Sequence, residues 1–450
     1  MNEQAPTSVP SVGGAPPSLE SIDVTFADRG DRLIGLGFVN GLLRLITLGL
    51  YSFWAKTEVR RRLWSFTRLN GEPLEYTGSG KELFLGFLIM FGVIALPALF
   101  AGVAVAAFFG PGSGALALYQ IALYLLFFLL IGNAIYRAQR YRLSRTRWRG
   151  IRGALVGSPG GYGWLYFWSL AAPFAVIAAG AFFAAKIIGP AVGGVLVVVG
   201  VIAGLWVLPW RANALQRRLT NDMRFGDAPL VYSGGSGPLY RRYLYTWLGS
   251  ALTLAAAAAV TGYLAMNSDA IRLWTELRMP PSAAEILAVV GVWFLALILI
   301  AVITASYRAA QFRHFASHTA IGDASFRSDV TGRGLAWLVV SNWLITALGL
   351  ILGAMAGAAV VAAFGAVPSI DEFEVGARPE GTMLKIGLAF TPIVVFTTAA
   401  ATFAQFRSAR YFMSRLKLDG RVDLAAIRQS AYAGPKLGEG LAQVFDIDAF

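Results

Sequence analysis

LFLGFLIMFGVIALPALFAGVAVAAFFGPGSGALALYQIALYLLFFLLIGN, residues 83–133, decides the fold. It contains no Asp, Glu, Lys or Arg, and it divides at GPGSG (110–114) into apolar runs at 83–108 and from 115 to about 135. A helix needs about 20 apolar residues to cross a hydrocarbon core of roughly 30 Å. Each run is long enough, and a short Gly-Pro loop turns the first back into the second. The stretch reads as a transmembrane hairpin.

Outward from it the pattern recurs. Further apolar segments lie at roughly 163–185, 187–209, 244–266, 284–306, 335–364 and 383–404, which gives four pairs. Composition agrees, with 56% hydrophobic residues, 14% charged and a mean hydropathy of +0.60. Soluble chains sit near half apolar and a quarter charged. The expected class is an all-α polytopic membrane protein of eight or nine segments. It is built from repeated transmembrane hairpins joined by short strand-and-turn pieces and amphipathic helices. Cys is absent, which excludes disulfides, thiolate metal sites and Cys nucleophiles.

The connectors between pairs read alike. Each starts with a basic helical stretch and reaches a glycine (Gly71, Gly150, Gly226, Gly322, Gly420) suited to a left-handed helix C-cap. Apolar residues recur at helical spacing, as at Leu215, Leu219 and Met223, so these stretches can lie along a membrane surface. Net charge is +13, and the connectors carry more than all of it. The opposite loops are neutral or acidic, as in AVPSIDEFEVGARPEG (366–381). By the positive-inside rule the connectors and the C-terminus are cytoplasmic. Positive charge placed this way meets anionic lipid headgroups, and no nucleic-acid module accompanies it. Arg60, Arg61, Arg62, Arg140, Arg217 and Arg218 are the expected headgroup contacts. Residues 1–21, rich in Pro, Ser and Gly, read as a disordered tail. Residues 22–405 form the membrane domain, and 406–450 a cytoplasmic amphipathic helix and tail.

One segment breaks the pairing. LIGLGFVNGLLRLITLGLYSFW (Leu33–Trp54) adds a ninth apolar stretch, yet it holds Asn40, Arg44 and a Thr47-Leu48-Gly49 break. The run before it, VTFADRGDRLIG, is like LEYTGSGKELFLG fifty residues on. If both runs sit on one face, the segment between them is re-entrant. An ordinary ninth span is the other reading.

From Asn40 through Thr47-Leu48-Gly49-Leu50-Tyr51, Trp54-Ala55-Lys56 and Arg60–Arg62 to the Gly71–Gly80 turn and Glu82-Leu83-Phe84, the sequence resembles the YjgN-like family. These are bacterial inner-membrane proteins carrying a domain of unknown function, number 898. The resemblance is strong over about 24–90 and extends through the connectors. It implies an inner-membrane location and supplies no activity.

Arg44 is the charged side chain set deep in an apolar segment, where insertion costs at least about 2.5 kcal/mol, so it faces a cavity, an anion or a nearby interface. Asn40, one turn earlier, shares its face. Together they are the candidate intramembrane polar site. Asn133, Asn213 and Asn342 suit interhelical hydrogen bonds, and Gly349, Gly353 and Gly357 have the spacing for close helix packing. His314 and His318 lie four apart without an HExxH acid or a third ligand, so a solvated helix face is the better reading. Gly78-Ser79-Gly80 and Gly234–Gly237 read as turns, without the Lys-Ser/Thr of a phosphate loop. With no nucleophile–base pair or carboxylate dyad, no catalytic residue, cofactor or metal is expected, and an enzyme is the least favoured class. The sequence points to a transporter or channel-like protein for a small anionic or lipidic solute. The alternative is a noncatalytic scaffold or lipid-binding protein.

Overall fold

Each stretch between apolar pairs folds into a β-hairpin, and the hairpins of the whole chain gather at one end of a helical bundle. The computed structural model describes residues 19–27, 30–267, 282–363, 379–432 and 434–435. Among these, eight helices are long and apolar enough to cross a membrane. They are α3 (Gly80–Phe109), α4 (Gly114–Arg145), α5 (Pro159–Ile187), α6 (Pro190–Asp222), α7 (Gly237–Asn267), α8 (Ala283–Ser317), α9 (Gly332–Ala363) and α10 (Pro379–Met413, apolar from Gly387). The acidic loop 366–381 lies largely outside the described residues. Two shorter helices precede them, α1 (Asp31–Ile46) and α2 (Ser52–Phe66).

The basic stretches are not separate surface helices. They are the last turns of α4, α6, α8 and α10, which run from apolar into basic sequence, α6 through a 3-10 turn at Leu205–Val207. A helix ladder already satisfied in the membrane continues at no cost once it leaves it, and in α6 Pro209 stands at that boundary.

The strands follow directly. They are β1 (Leu19–Glu20), β2 (Val24–Phe26), β3 (Thr67–Leu69), β4 (Glu72–Pro73), β5 (Glu75–Tyr76), β6 (Thr146–Trp148) and β7 (Ile151–Leu155). After them come β8 (Met223–Phe225), β9 (Ala228–Tyr232), β10 (Thr319–Ile321), β11 (Ala324–Ser328), β12 (Leu416–Asp419) and β13 (Val422–Asp423). The connector glycines are therefore not helix caps. They sit one strand later, four at hairpin tips and Gly420 between β12 and β13. Asn70-Gly71 (φ 50° and 80°) and Arg149-Gly150 (φ 49° and 77°) are left-handed at both positions, the two-residue turn that matches strand twist.

Strands β5 to β12 form one antiparallel meander, and β2, β3 and β4 form a second sheet. β2 packs beside β12, while β1 pairs with β13, so the first and last connectors meet. Strands from every connector face a common apolar cavity of about 230 Å3, lined by Val24, Leu69, Trp148, Phe225, Phe326 and Leu418. Pairing each short strand with the next connector leaves few free edges. The helices close in the same way, with α10 packed between α9 and α1.

Candidate functional site

The segment Leu33–Trp54 is not a single helix. α1 leaves β2, ends at Ile46, and α2 returns the chain to β3, which pairs with β2 in register Val24 to Leu69. Both arms thus begin and end at the strand end of the molecule. Sixteen residues of α1 rise only about 24 Å. The turn is built by Thr47, whose hydroxyl donates to the Leu43 carbonyl at 2.7 Å and accepts from the Tyr51 amide at 2.9 Å. Leu48 (φ 49°) and Gly49 (φ 89°) complete the reversal in left-handed backbone. The tip projects apolar side chains outward, with Leu48 94% exposed.

Small residues hold α1 in place. A Cβ on Gly37 would lie 2.7 Å from the Ala399 Cα, and one on Gly41 would lie 2.8 Å from the Val395 Cα, so α1 runs antiparallel against α10. On its other side α10 meets Gly349, Gly353 and Gly357 of α9, where a Cβ on Gly353 would lie 2.6 Å from the Ile393 Cα. The expected packing role of the α9 glycines is realised in this way.

The arms of α1 and α2, with α10 behind and Phe87 of α3 at the side, enclose a cavity of about 550 Å3. Asn40 and Arg44 both line it, and Lys56, Thr402 and Gln405 join them there. Asn40 is 1% exposed, and neither atom of its amide has a hydrogen-bond partner. Leaving a buried polar group unpaired costs about 1–3 kcal/mol. Among the described residues no hydrogen bond or ion pair engages the Arg44 guanidinium, and no carboxylate is among the lining side chains. The cavity combines cationic nitrogen, amide and hydroxyl groups. It suits an anion that also accepts hydrogen bonds.

The arginines expected at headgroups also make contacts within the protein. Arg61, Arg140, Arg217 and also Arg313 each donate to a backbone carbonyl 17 residues further on: Gly78, Gly157, Gly234 and Val330. That carbonyl lies in the turn that starts the next spanning helix. Arg140, Arg217 and Arg313 thus tie the foot of one span to the head of the following one, and Arg61 ties α2 to the head of α3. Arg62 pairs with Glu58 at 3.4 Å, Arg218 with Asp222 at 3.6 Å, and Arg60 is buried. The signal was present as a recurrent spacing between Arg and turn, which helical periodicity does not register. Lys56, Thr402 and Gln405 carried no local signal, because α10 brings two of them from the far end of the chain.

Asn342 accepts from Arg407 at 2.8 Å and donates to Ser408 at 3.2 Å, and Asn213 joins Tyr232 (2.7 Å) to the Gly234 carbonyl (3.2 Å). Burial pushes the Tyr232 phenol up to about 12, so it stays a donor. Asn133 bonds within its own helix. His314 is tied to the Gly235 carbonyl and His318 to that of His314, both at 2.8 Å. Among the described residues no group of three or more His, Cys, Asp or Glu could hold a metal. The carbonyls of Gly78 and Gly234 accept hydrogen bonds from arginine.

Residues 21–444 match the family described as bacterial protein of unknown function (DUF898), and the chain belongs to that family. It is similar to an inner membrane protein YjgN of Salmonella typhimurium, at 24% identity over 351 residues, 73% of this chain and 82% of the relative. No solved structure matches it. With eight apolar helices, it is a multi-pass inner-membrane protein.

Proposed function

We propose that this DUF898 protein is a membrane transport protein that binds a small anionic solute in the cavity between the α1–α2 hairpin and α10. The observation that carries the reading is Arg44, set beside a buried, unpartnered Asn40 in a cavity whose lining includes Lys56 and no carboxylate. An arginine at membrane depth costs about 2.5–3.5 kcal/mol on insertion scales, and an anion there offsets much of that cost. Hairpins that enter and leave by one face are tolerated where protein lines a cavity, and broken helices near the midplane recur at transporter sites. The strand end, rich in arginine, is the cytoplasmic side, and the C-terminus lies with it.

The test is binding. Inorganic phosphate, a short carboxylate and chloride are titrated separately onto the purified protein, following its thermal unfolding. A stabilisation by at least one anion, at least tenfold weaker in affinity in Arg44→Leu, supports the site. Equal behaviour of wild type and variant with all three would remove it.

A rival reading as a noncatalytic scaffold draws support from the four arginine latches, since they stiffen the strand end. A scaffold needs no anion at Arg44, so the same titration separates the two.

A further inference from the structure

A second cavity, sharing no lining residue with the first, lies across the bundle between α6, α7 and α8. It measures about 490 Å3. Its origin is a break in α6. Pro209 has no N–H to give the Leu205 carbonyl, and residues Leu205–Val207 tighten into a 3-10 turn. The Tyr243 hydroxyl of α7 donates to that carbonyl at 2.9 Å, and the Trp247 indole donates to the Ile202 carbonyl at 3.3 Å. The Leu208 amide also donates to the Leu205 carbonyl, so the break leaves no bare carbonyl there.

The cavity is polarised along the bundle. Toward the middle of the spans it is lined by Ile202, Ala251 and Leu254. Toward the strand end it is lined by Arg211, Arg308 and Gln311. Arg211 donates to the Ser169 hydroxyl at 2.9 Å and lies 4.1 Å from the centre of the Tyr166 ring, both neutral groups. Arg308 is exposed and donates to the Gln311 amide oxygen at 3.4 Å. No carboxylate lines the cavity. Arg308 and Gln311 also line the adjoining cavity of about 470 Å3 at the centre of the strand end. Trp206 and Trp210 flank the bend on α6, 38% and 43% exposed, the kind of side chain that settles at a membrane interface.

We infer that this groove holds one anionic phospholipid, its phosphate at Arg308 and Arg211 and its acyl chain along Ile202, Ala251 and Leu254. Two cations without an acid at one end, and apolar side chains at the other, match a molecule with one charged and one oily end. Gln311 and Thr246 offer further polar contacts to the headgroup. A soluble phosphate would leave the apolar half of the groove unfilled.

The experiment is native mass spectrometry of the full chain, stripped of lipid in detergent and titrated with phosphatidylglycerol, phosphatidylcholine or glycerol 3-phosphate. One tightly held phosphatidylglycerol per protein is expected, with phosphatidylcholine at least tenfold weaker and no retention of glycerol 3-phosphate. Arg308→Gln should lower phosphatidylglycerol affinity about tenfold, and Arg308→Lys should restore most of it, which separates lost binding from a damaged fold. Arg44→Leu should leave this binding unchanged, so the two sites stand or fall separately. Equal retention of both phospholipids, or full affinity in Arg308→Gln, overturns the inference. Glycerol 3-phosphate bound as tightly as the lipid would overturn it too, assigning the cations to a soluble anion.

Discussion

The α1–α2 hairpin and the α9–α10 hairpin start from the same kind of strand and press glycines against the same helix. One stops after 16 residues and the other crosses. Gly37 and Gly41 bring α1 onto α10 from one side, Gly349, Gly353 and Gly357 bring α9 from the other, and both approaches are limited by backbone contact. The difference therefore does not lie in how the helices pack. It lies in the Thr47–Tyr51 turn, where a hydroxyl and two left-handed residues end α1, whereas α9 runs on through small and apolar residues to Ala363. A helix that stops short leaves the space above α2 to be closed by side chains. There the cavity with Arg44 and Asn40 forms.

Overfilling the shared packing should have the largest effect. Gly353→Leu would drive a side chain into the Ile393 backbone, and Gly41→Leu into that of Val395. Overpacking costs about 1–3 kcal/mol and occasionally more. Both should lower the thermal midpoint in detergent, Gly353→Leu further, since it splits two full spans. Gly41→Leu should keep the eight spans but lose anion-induced stabilisation. If it kept that response, the cavity would not depend on α1.

The latches come next. A hydrogen bond to a charged group contributes about 1.5–3 kcal/mol, so Arg217→Ala should destabilise by that order. Four spans depend on such a bond and the α1–α2 turn does not, so the loss should leave Arg44-dependent binding intact. Thr47→Ala should cost about 1 kcal/mol, as lost caps do, and loosen the short hairpin alone, seen as faster hydrogen exchange at Tyr51.

The smallest effect is electrostatic. Lys417, hydrogen-bonded to Asp329 at 2.8 Å, holds that carboxyl below its ordinary value and fastens β11 to β12. A carboxyl depressed in the folded state stabilises fully above its unfolded pKa of about 3.9, and the gain disappears as pH falls through the folded value. The pair is exposed, so only a slight fall in midpoint is expected below about pH 4, absent in Asp329→Asn.

The eight spans and their pairing were legible because a run of apolar residues reports its own length. Segments 83–108 and 284–306 lie inside α3 and α8. Asn40 and Arg44 were legible because charge in an apolar run is costly wherever it folds. Two readings of Leu33–Trp54 stayed open, since Thr47 and Gly49 decide it only by how the backbone turns. The order and register of the strand meander were hidden. Strands of two to five residues give too few alternations to register, and partners such as Tyr232 and Thr319 lie in different connectors. The reach of four arginines to the next turn was overlooked, because its signal is a recurrent 17-residue spacing that helical periodicity does not register.

The short hairpin requires α1 and α2 to enter and leave by one face. The chain has no cysteine, so single substitutions Ser21→Cys, Glu72→Cys, Asp323→Cys and Gly112→Cys can be labelled with a membrane-impermeant maleimide from each side of the inner membrane. Ser21→Cys, Glu72→Cys and Asp323→Cys should label from one side and Gly112→Cys from the other. Labelling of Ser21→Cys together with Gly112→Cys would make Leu33–Trp54 a ninth crossing and contradict the hairpin.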